Sequence, residues 1–280
     1  MRTVELSNHP GAMRAKEHRR RDARQAQTGR EYERAVAGHE RELEELRRRR
    51  DRARAERRWW RWWRLGSALR RTRRRAPRPP GKPPEDPDRE RILLAGIEGE
   101  ELVARELGEA LGDDWTLLRG YRNRRGEIDH LLLGPKAIVA IEVKHRNAKV
   151  FCDGDDWWFE KYDKYGNLVE TGALADRRGR SPSRQLNEPA DELVKFLATR
   201  RCDVTVTRLV LFTHARSVAN QEDLAHQTVN GVGTSGREVV AWLAGLEASL
   251  SPKLLAKVER LAIQDHRHHN RGAVSRAGRR

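Results

Sequence analysis

The chain has 280 residues, with 58 Lys and Arg against 42 Asp and Glu, a net charge of +16 and only 37% hydrophobic residues. That length can hold one proper core, but no stretch approaches the roughly 18 consecutive apolar residues of a membrane span, and the N-terminus lacks the apolar segment of a signal peptide. Cys152 and Cys202 stand alone in the sequence, which excludes a zinc ribbon or a disulfide framework; the expectation is a cytoplasmic protein, membrane-peripheral at most, with reduced thiols.

The charge is concentrated at one end. Residues 1–76 hold 25 Lys/Arg and 11 Asp/Glu, a balance of +14, so residues 77–280 add only +2. Residues 13–75 have no Pro, few Gly and many Arg, Glu and Ala, which predicts one long helix or two separated near Gly29 to Gly38. Tyr32, Val36, Leu43, Leu46 and Ala53 form a thin stripe of weak coiled-coil character, too poor to specify a dimer. The arginine runs at 47–50 and 70–75 read as solvated faces. Between them lies Trp59-Trp60-Arg61-Trp62-Trp63, four indoles that cannot share one side of a helix; such rings settle in a membrane interface, against a partner, or on nucleobases. A basic arm of this kind neutralises nucleic-acid phosphates or lies on an anionic membrane surface, and residues 47–75 are the candidate contact for a membrane or a protein partner. Pro77, Pro79, Pro80, Pro83, Pro84 and Pro87 mark 77–88 as an extended linker.

The core expected at 89–215 starts with a helix at about 89–111. Leu93, Ile97, Ala104, Leu107 and Leu111 recur at helical spacing and Glu100 falls on the same stripe, whereas Glu98, Glu101, Glu106 and Glu109 fall elsewhere. Glu100 is therefore the acid that points inward. A strand at about 115–122 follows, and then the most informative segment of the chain. Residues 128–133 and 137–144 are apolar runs separated by Gly134-Pro135-Lys136, a β-hairpin signal. A turn on Pro135 and Lys136 makes Asp129 the cross-strand neighbour of Glu142, with their Cβ atoms roughly 5 Å apart. Alternation puts Lys144 on the same face and Ile141 and Val143 on the other. Two carboxylates that close repel unless a cation sits between them, and Mg²⁺ takes one or two carboxylates, keeps waters and completes its shell with substrate phosphate. The adjacent lysine then orients water or neutralises developing charge. The competing reading is a surface ion pair on a solvated face; strands this continuously apolar argue against it, since they are normally covered on both faces.

Strands near Val150 and at 157–159, a turn at Tyr165-Gly166-Asn167 and an Arg/Gly/Ser loop at 176–183 come next. A helix then runs to about Thr199 on Leu186, Leu193 and Leu197. Gln185 stands just before or within the first turn of that helix, and Pro189, which suits a first turn better than an interior, favours the preceding loop; Gln185 is either a site residue or an ordinary solvated glutamine. A buried strand at 204–213 closes the core. An extension at 216–263 should contain helices at 237–250 and 252–263, and 264–280 should be a basic, disordered tail whose His266, His268 and His269 are at most an adventitious metal trap.

The ordered set Gly99-Glu100, Gly126-Glu127-Ile128-Asp129-His130, Gly134-Pro135, Ile141-Glu142-Val143-Lys144, Trp157 and Gln185 resembles the nuclease-related domain, NERD, of the PD-(D/E)xK nuclease superfamily. The resemblance covers about 92–215. It implies an α/β fold with a central mixed β-sheet flanked by helices, a restriction-endonuclease-like core here preceded by the basic helical arm. It also implies Asp129 and Glu142 as metal ligands, Lys144 as the catalytic lysine, Glu100 as the helix-borne acid and Gln185 as a residue that orients substrate or water. Ile128 stands where the superfamily name has Pro, and Pro182-Ser183-Arg184-Gln185 is an imperfect version of the family's last segment. The expectation is a Mg²⁺-dependent nuclease, with Mn²⁺ as a substitute ion, that hydrolyses nucleic acid and favours DNA over RNA. The alternative is a catalytically weak nucleic-acid-binding or membrane-peripheral scaffold protein that uses the Trp/Arg arm.

Overall fold

A computed structural model describes residues 1–7, 9–81, 87–176, 178–214 and 229–277. The chain divides into two compact units, one of Met1–Ala12 with Asp88–Arg280 and one of Met13–Pro87.

The larger unit is built on a six-stranded mixed sheet of order β1-β2-β3-β4-β8-β9. Its strands are β1 (Arg2–Glu5), β2 (Thr116–Arg122), β3 (Glu127–Leu133), β4 (Ile138–Lys144), β8 (Val206–Phe212) and β9 (Gly231–Gly233). β2, β3 and β4 run antiparallel in sequence, while β1 joins β2, β8 joins β4 and β9 joins β8 in parallel. Six of the seven β4 residues are buried because both faces are covered, which is why this strand reads as one unbroken apolar run. On one face Val139, Ile141 and Val143 pack with Val103 and Leu107 of α3 (Pro87–Ala110) and Val239 and Leu243 of α5 (Gly236–Ala244). On the other, Ile138 and Ala140 pack with Leu186, Leu193 and Leu197 of α4 (Pro182–Thr199) and Val258 and Ala262 of α6 (Pro252–Ala277). The expected α/β fold with a central mixed sheet flanked by helices is the one observed.

A second sheet of order β5-β6-β7 comprises β5 (Lys149–Asp153), β6 (Asp156–Tyr162) and β7 (Leu168–Ala173). It is inserted between β4 and α4, and Val150, Cys152, Trp157 and Phe159 join it to the α4-side core.

Several features differ from the sequence expectation. Residues 2–5, assigned to the arm, form an edge strand of the core sheet: Ser7 Oγ–H donates to Gly120 O at 2.7 Å and the Met1 amino group to Leu111 O at 3.0 Å. Second, residues 264–277 are not a disordered tail, because α6 continues through them. Asp265 and His266 are buried; Tyr121 Oη–H donates to Asp265 at 2.5 Å and Arg122 N–H donates to His266 Nδ1 at 3.1 Å. These partners lie far away in sequence, so local composition could not reveal them. Residues 278–280 of the expected tail, 216–228 of the expected extension, 215 of the expected core and 82–86 of the linker lie outside the described residues; β9 belongs to the sheet and was not expected at all.

In the smaller unit the helices are α1 (His9–Ala55), which starts in the larger unit, and α2 (Trp59–Arg74). A further difference is where they part: not at Gly29 to Gly38 but at Arg57, whose φ is +57°. Arg58 N–H bonds Ala53 O at 2.9 Å and Arg57 N–H bonds Arg54 O at 3.1 Å. This pattern ends a helix on one left-handed residue, and here an arginine takes the place usually held by glycine. The thin stripe of α1 ends at buried Ala53, and α2 lies against α1 through buried Leu69 and Thr72, the latter donating to Glu42 at 3.3 Å.

Candidate active site

The β3–β4 hairpin closes with the register its turn implies. Gly134 N–H donates to Ala137 O at 3.0 Å, Leu133 pairs with Ile138 and His130 with Ile141. One rung further stand Asp129 and Glu142, where the backbone ladder gives way to a side chain: Val143 N–H donates to Asp129 Oδ2 at 2.7 Å. Glu142 is buried and accepts a hydrogen bond from the Lys144 ammonium. Lys144 Nζ also donates to Gln185 Oε1 at 2.9 Å, and Gln185 Nε2 donates to Arg180 O at 2.8 Å. Asp129, Glu142, Lys144 and Gln185 are thus linked on the α4 face of the sheet.

Gln185 sits in the first turn of α4 and not on the loop before it. The helix starts at Pro182 because Ser181 caps it, its Oγ accepting from Arg184 N–H at 3.2 Å. Asp155 fixes that cap by accepting from Ser181 Oγ–H at 2.8 Å and from Ser183, whose oxygen also accepts the Trp157 indole N–H at 3.0 Å. Pro189 consequently lies inside the helix. Its carbonyl accepts from Asn123 Nδ2 at 2.8 Å, so the kink-prone position is tied to the turn that precedes β3.

Glu100 comes from α3. The preceding Gly99 lets that helix meet the sheet, since a Cβ there would lie 2.8 Å from Thr213 Oγ1 and 2.9 Å from His145 Cβ. His130, fully buried on the α3 face, bonds the Glu100 carbonyl through Nε2 at 3.0 Å; a carbonyl only accepts, so the ring is the Nε2–H tautomer. Burial and then the nearby Arg119 push this imidazole down to about 4, which keeps it neutral. The motif residue next to Asp129 therefore faces away from it and holds the helix that carries Glu100.

Two of the acids are raised. Burial pushes Glu100 up to about 7, against the pull of Arg119 and with help from Glu127, Glu142 and Glu5. Asp129 stands well above the ordinary carboxylate range, through burial and then Glu142 and Glu100, opposed by Lys144 and the Val143 N–H. Burial pulls the Lys144 ammonium down, but Glu142 and Asp129 outweigh it and hold the group above its usual value.

All five expected residues line one cavity of about 670 Å³. Sequence reasoning missed its cationic wall: Arg122, Arg124, Arg125, Arg178 and Arg180 line the same space. Arg124 is held by Glu192 at 2.7 and 2.9 Å, and Arg180 by Asp176 and Glu188. Arg125 and Arg178 are exposed and make no salt bridge among the described residues, although Arg125 lies near enough to Glu192 to help lower its carboxyl. The turn signal Asn123-Arg124-Arg125-Gly126, directly before the Asp129 motif, was the available clue.

The donor chemistry suits a hard divalent cation: carboxylate oxygens in a partly buried, mutually repelling set. Among the described residues, however, no three acidic, His or Cys side chains form a ready-made ligand set, and Glu142 is bonded to Lys144. No all-protein cage of the zinc or calcium type is therefore formed among the described residues. The arrangement is compatible with Mg²⁺, which relies on one or two carboxylates, waters and substrate oxygens.

The chain has no match among curated proteins or solved structures. A family model does match: that of the nuclease-related domain, over residues 95–213. This interval contains Glu100, Asp129, Glu142, Lys144 and Gln185 and excludes α1 and α2. The segment that builds the cavity is therefore the part of the chain that matches the nuclease-related domain, a match consistent with the PD-(D/E)xK superfamily.

Proposed function

We propose that the cavity hydrolyses phosphodiester bonds of nucleic acid with the help of Mg²⁺, DNA being preferred to RNA on the likeness to restriction-endonuclease-like domains. The observation that carries this reading is the meeting of Glu100, Asp129, Glu142, Lys144 and Gln185 at one cavity that exposed arginines outside any salt bridge, Arg125 and Arg178, also line. Asp129 and Glu142 would hold the ion, with Mn²⁺ as its substitute, and Glu100 would add a third acid. When bound, the ion would supply Lewis-acid polarisation of the phosphate and a water of lowered pKa.

The chain's own groups then have separate tasks. Lys144, kept protonated by its two acidic neighbours, acts as fixed positive charge beside the phosphate and not as a general base. Gln185 restrains it: the amide nitrogen is anchored on Arg180 O and the amide oxygen receives the Lys144 Nζ–H. Arg125 and Arg178 neutralise phosphates on either side of the reacting one.

The test is cleavage of labelled DNA and RNA, single- and double-stranded, by the full chain with Mg²⁺ or Mn²⁺, beside Asp129→Ala and Lys144→Ala. Metal-dependent cutting of DNA that both substitutions abolish is the expected result. Binding without cutting, equal in all three proteins, would refute the catalytic reading and leave a nucleic-acid-binding domain.

A further inference from the structure

Helix α2 carries a surface that the nuclease reading does not use. Between Arg57 and Arg78 the chain has ten arginines and no Asp or Glu. On α1 some arginines are matched one turn away, Arg48 with Glu44 and Arg49 with Glu45. On α2, among the described residues, Arg61, Arg64, Arg70, Arg71, Arg73 and Arg74 have no acidic partner.

The indoles divide between two sides of the helix. Trp62 lies under the Arg50 guanidinium, 4.8 Å from the ring centre, and so belongs to the packing with α1. Trp59, Trp60 and Trp63 are 62%, 72% and 57% exposed. At about 100° per residue these three fall within an arc of about 100°, opposite Leu65, Leu69 and Thr72. One side of α2 is thus committed to α1, and the other presents three water-facing indoles that lead into Arg70, Arg71 and Arg74.

We propose that this side of α2 docks on an anionic phospholipid bilayer, with Trp59, Trp60 and Trp63 at the headgroup level and Arg64, Arg70, Arg71 and Arg74 on lipid phosphates. Charge complementarity selects an anionic partner, and the indoles decide which one. Trp60 and Trp63 stack on each other at 5.8 Å and 21°, so each commits one of its two ring faces and has only the other for a nucleobase. A bilayer interface needs no open ring face, because it takes indoles by their amphipathic edges and arginines by its phosphates at once. No described helix is long and apolar enough to cross the membrane, so the contact is with its surface.

The experiment is sedimentation of the full chain with vesicles of phosphatidylcholine alone or mixed with phosphatidylserine, combined with quenching of tryptophan fluorescence by brominated lipid. Wild type should bind the anionic vesicles and be quenched. Trp59→Ala/Trp60→Ala/Trp63→Ala should lose at least about tenfold in vesicle affinity together with most of the quenching, and Arg70→Gln/Arg71→Gln/Arg74→Gln should weaken binding and flatten its salt dependence. Vesicle binding without quenching would mean that charge alone acts, and it would overturn the proposal. So would absent vesicle binding with fluorescence quenched by single-stranded DNA, which would make α2 a nucleic-acid surface. Because quenching is read on the unaltered chain, a variant that fails to fold does not shelter the idea, and neither readout depends on whether the cavity cuts.

Discussion

The nuclease-related core and helix α2 both carry many arginines, and they treat them in opposite ways. In the core an arginine is generally a fastener: Arg119 meets Glu101 at 2.7 Å, Arg124 ties the turn before β3 to Glu192 of α4, and Arg180 fixes the loop before α4 to Asp176 and Glu188. Arg125 and Arg178, which make no salt bridge among the described residues, stand at the cavity. On α2 the unmatched arginine is the rule. Net charge therefore advertises the arm and conceals the site: residues 77–280 sum to only +2, yet within them six cationic side chains face five acidic ones around a single cavity. Charge that is locally matched builds structure, and charge left unmatched marks where an outside anion is met.

The sharpest way to break the matched arrangement is to remove the cation at its centre. Lys144→Met keeps the length of the side chain and should lower the cleavage rate by about 10²–10³. It also leaves Glu142 buried without its donor, so thermal unfolding should be followed beside activity. A variant that cuts within a few-fold of wild type would show that the ammonium is only a structural partner of Glu142. Next in size is Gly99→Val. The added atoms collide with Thr213 and His145, which pushes α3 and Glu100 away from the sheet. Misplacement on the order of 1 Å costs about 10²-fold in rate, while overpacking costs about 1–3 kcal/mol in stability. Activity measured well below the melting transition separates the two, and unchanged cleavage would remove Glu100 from the site.

Smaller effects should come from the unmatched arginines. Arg125→Ala and Arg178→Ala should each raise KM a few-fold with little change in kcat. Each should also reduce the slope of log affinity against log salt by about 1 if the side chain touches phosphate. Unaltered slopes in both would leave the mouth of the cavity without its proposed role.

How much of this was legible in the sequence follows from how local each cause is. The β3–β4 hairpin could be read because its turn residues and apolar runs are contiguous, and with the register came the meeting of Asp129, Glu142 and Lys144. Glu100 could be placed from helical spacing, although the buried centre of α3 runs through Gly99, Val103 and Leu107, slightly off the predicted stripe. The start of α4 was not legible, because Ser181 caps it with help from Asp155 and Trp157 on the second sheet. Nor was the fate of Asp265 and His266, which depends on Tyr121 and Arg122, or the break at Arg57, a residue type that does not announce a left-handed turn. The arginine wall escaped notice because its two loops lie far apart in the chain and their acids cancel them in any compositional sum.

The gentlest test acts through protons. Glu100 has a carboxyl raised from 4.5 to about 7 by burial, with Glu127, Glu142 and Glu5 adding to the effect. Below about pH 4.5 it is protonated in both the folded and unfolded chain and contributes its full share of stability. Between 4.5 and 7 the unfolded chain gives up this proton while the folded one retains it, so stability falls as pH rises, and the loss is complete once the folded group has ionised near 7. Glu100→Gln cannot ionise and should escape that loss. In chelator, its stability relative to wild type should improve between pH 5 and pH 8 by about 1–2 kcal/mol, allowing for solvent screening of a half-buried group. Denaturant unfolding at the two pH values reads the difference directly, and a constant offset would show that neither burial nor the neighbouring acids raise Glu100. Excess Mg²⁺ should then shrink the gap at pH 8, because a cation among the carboxylates relieves in wild type the repulsion that the glutamine relieves by substitution.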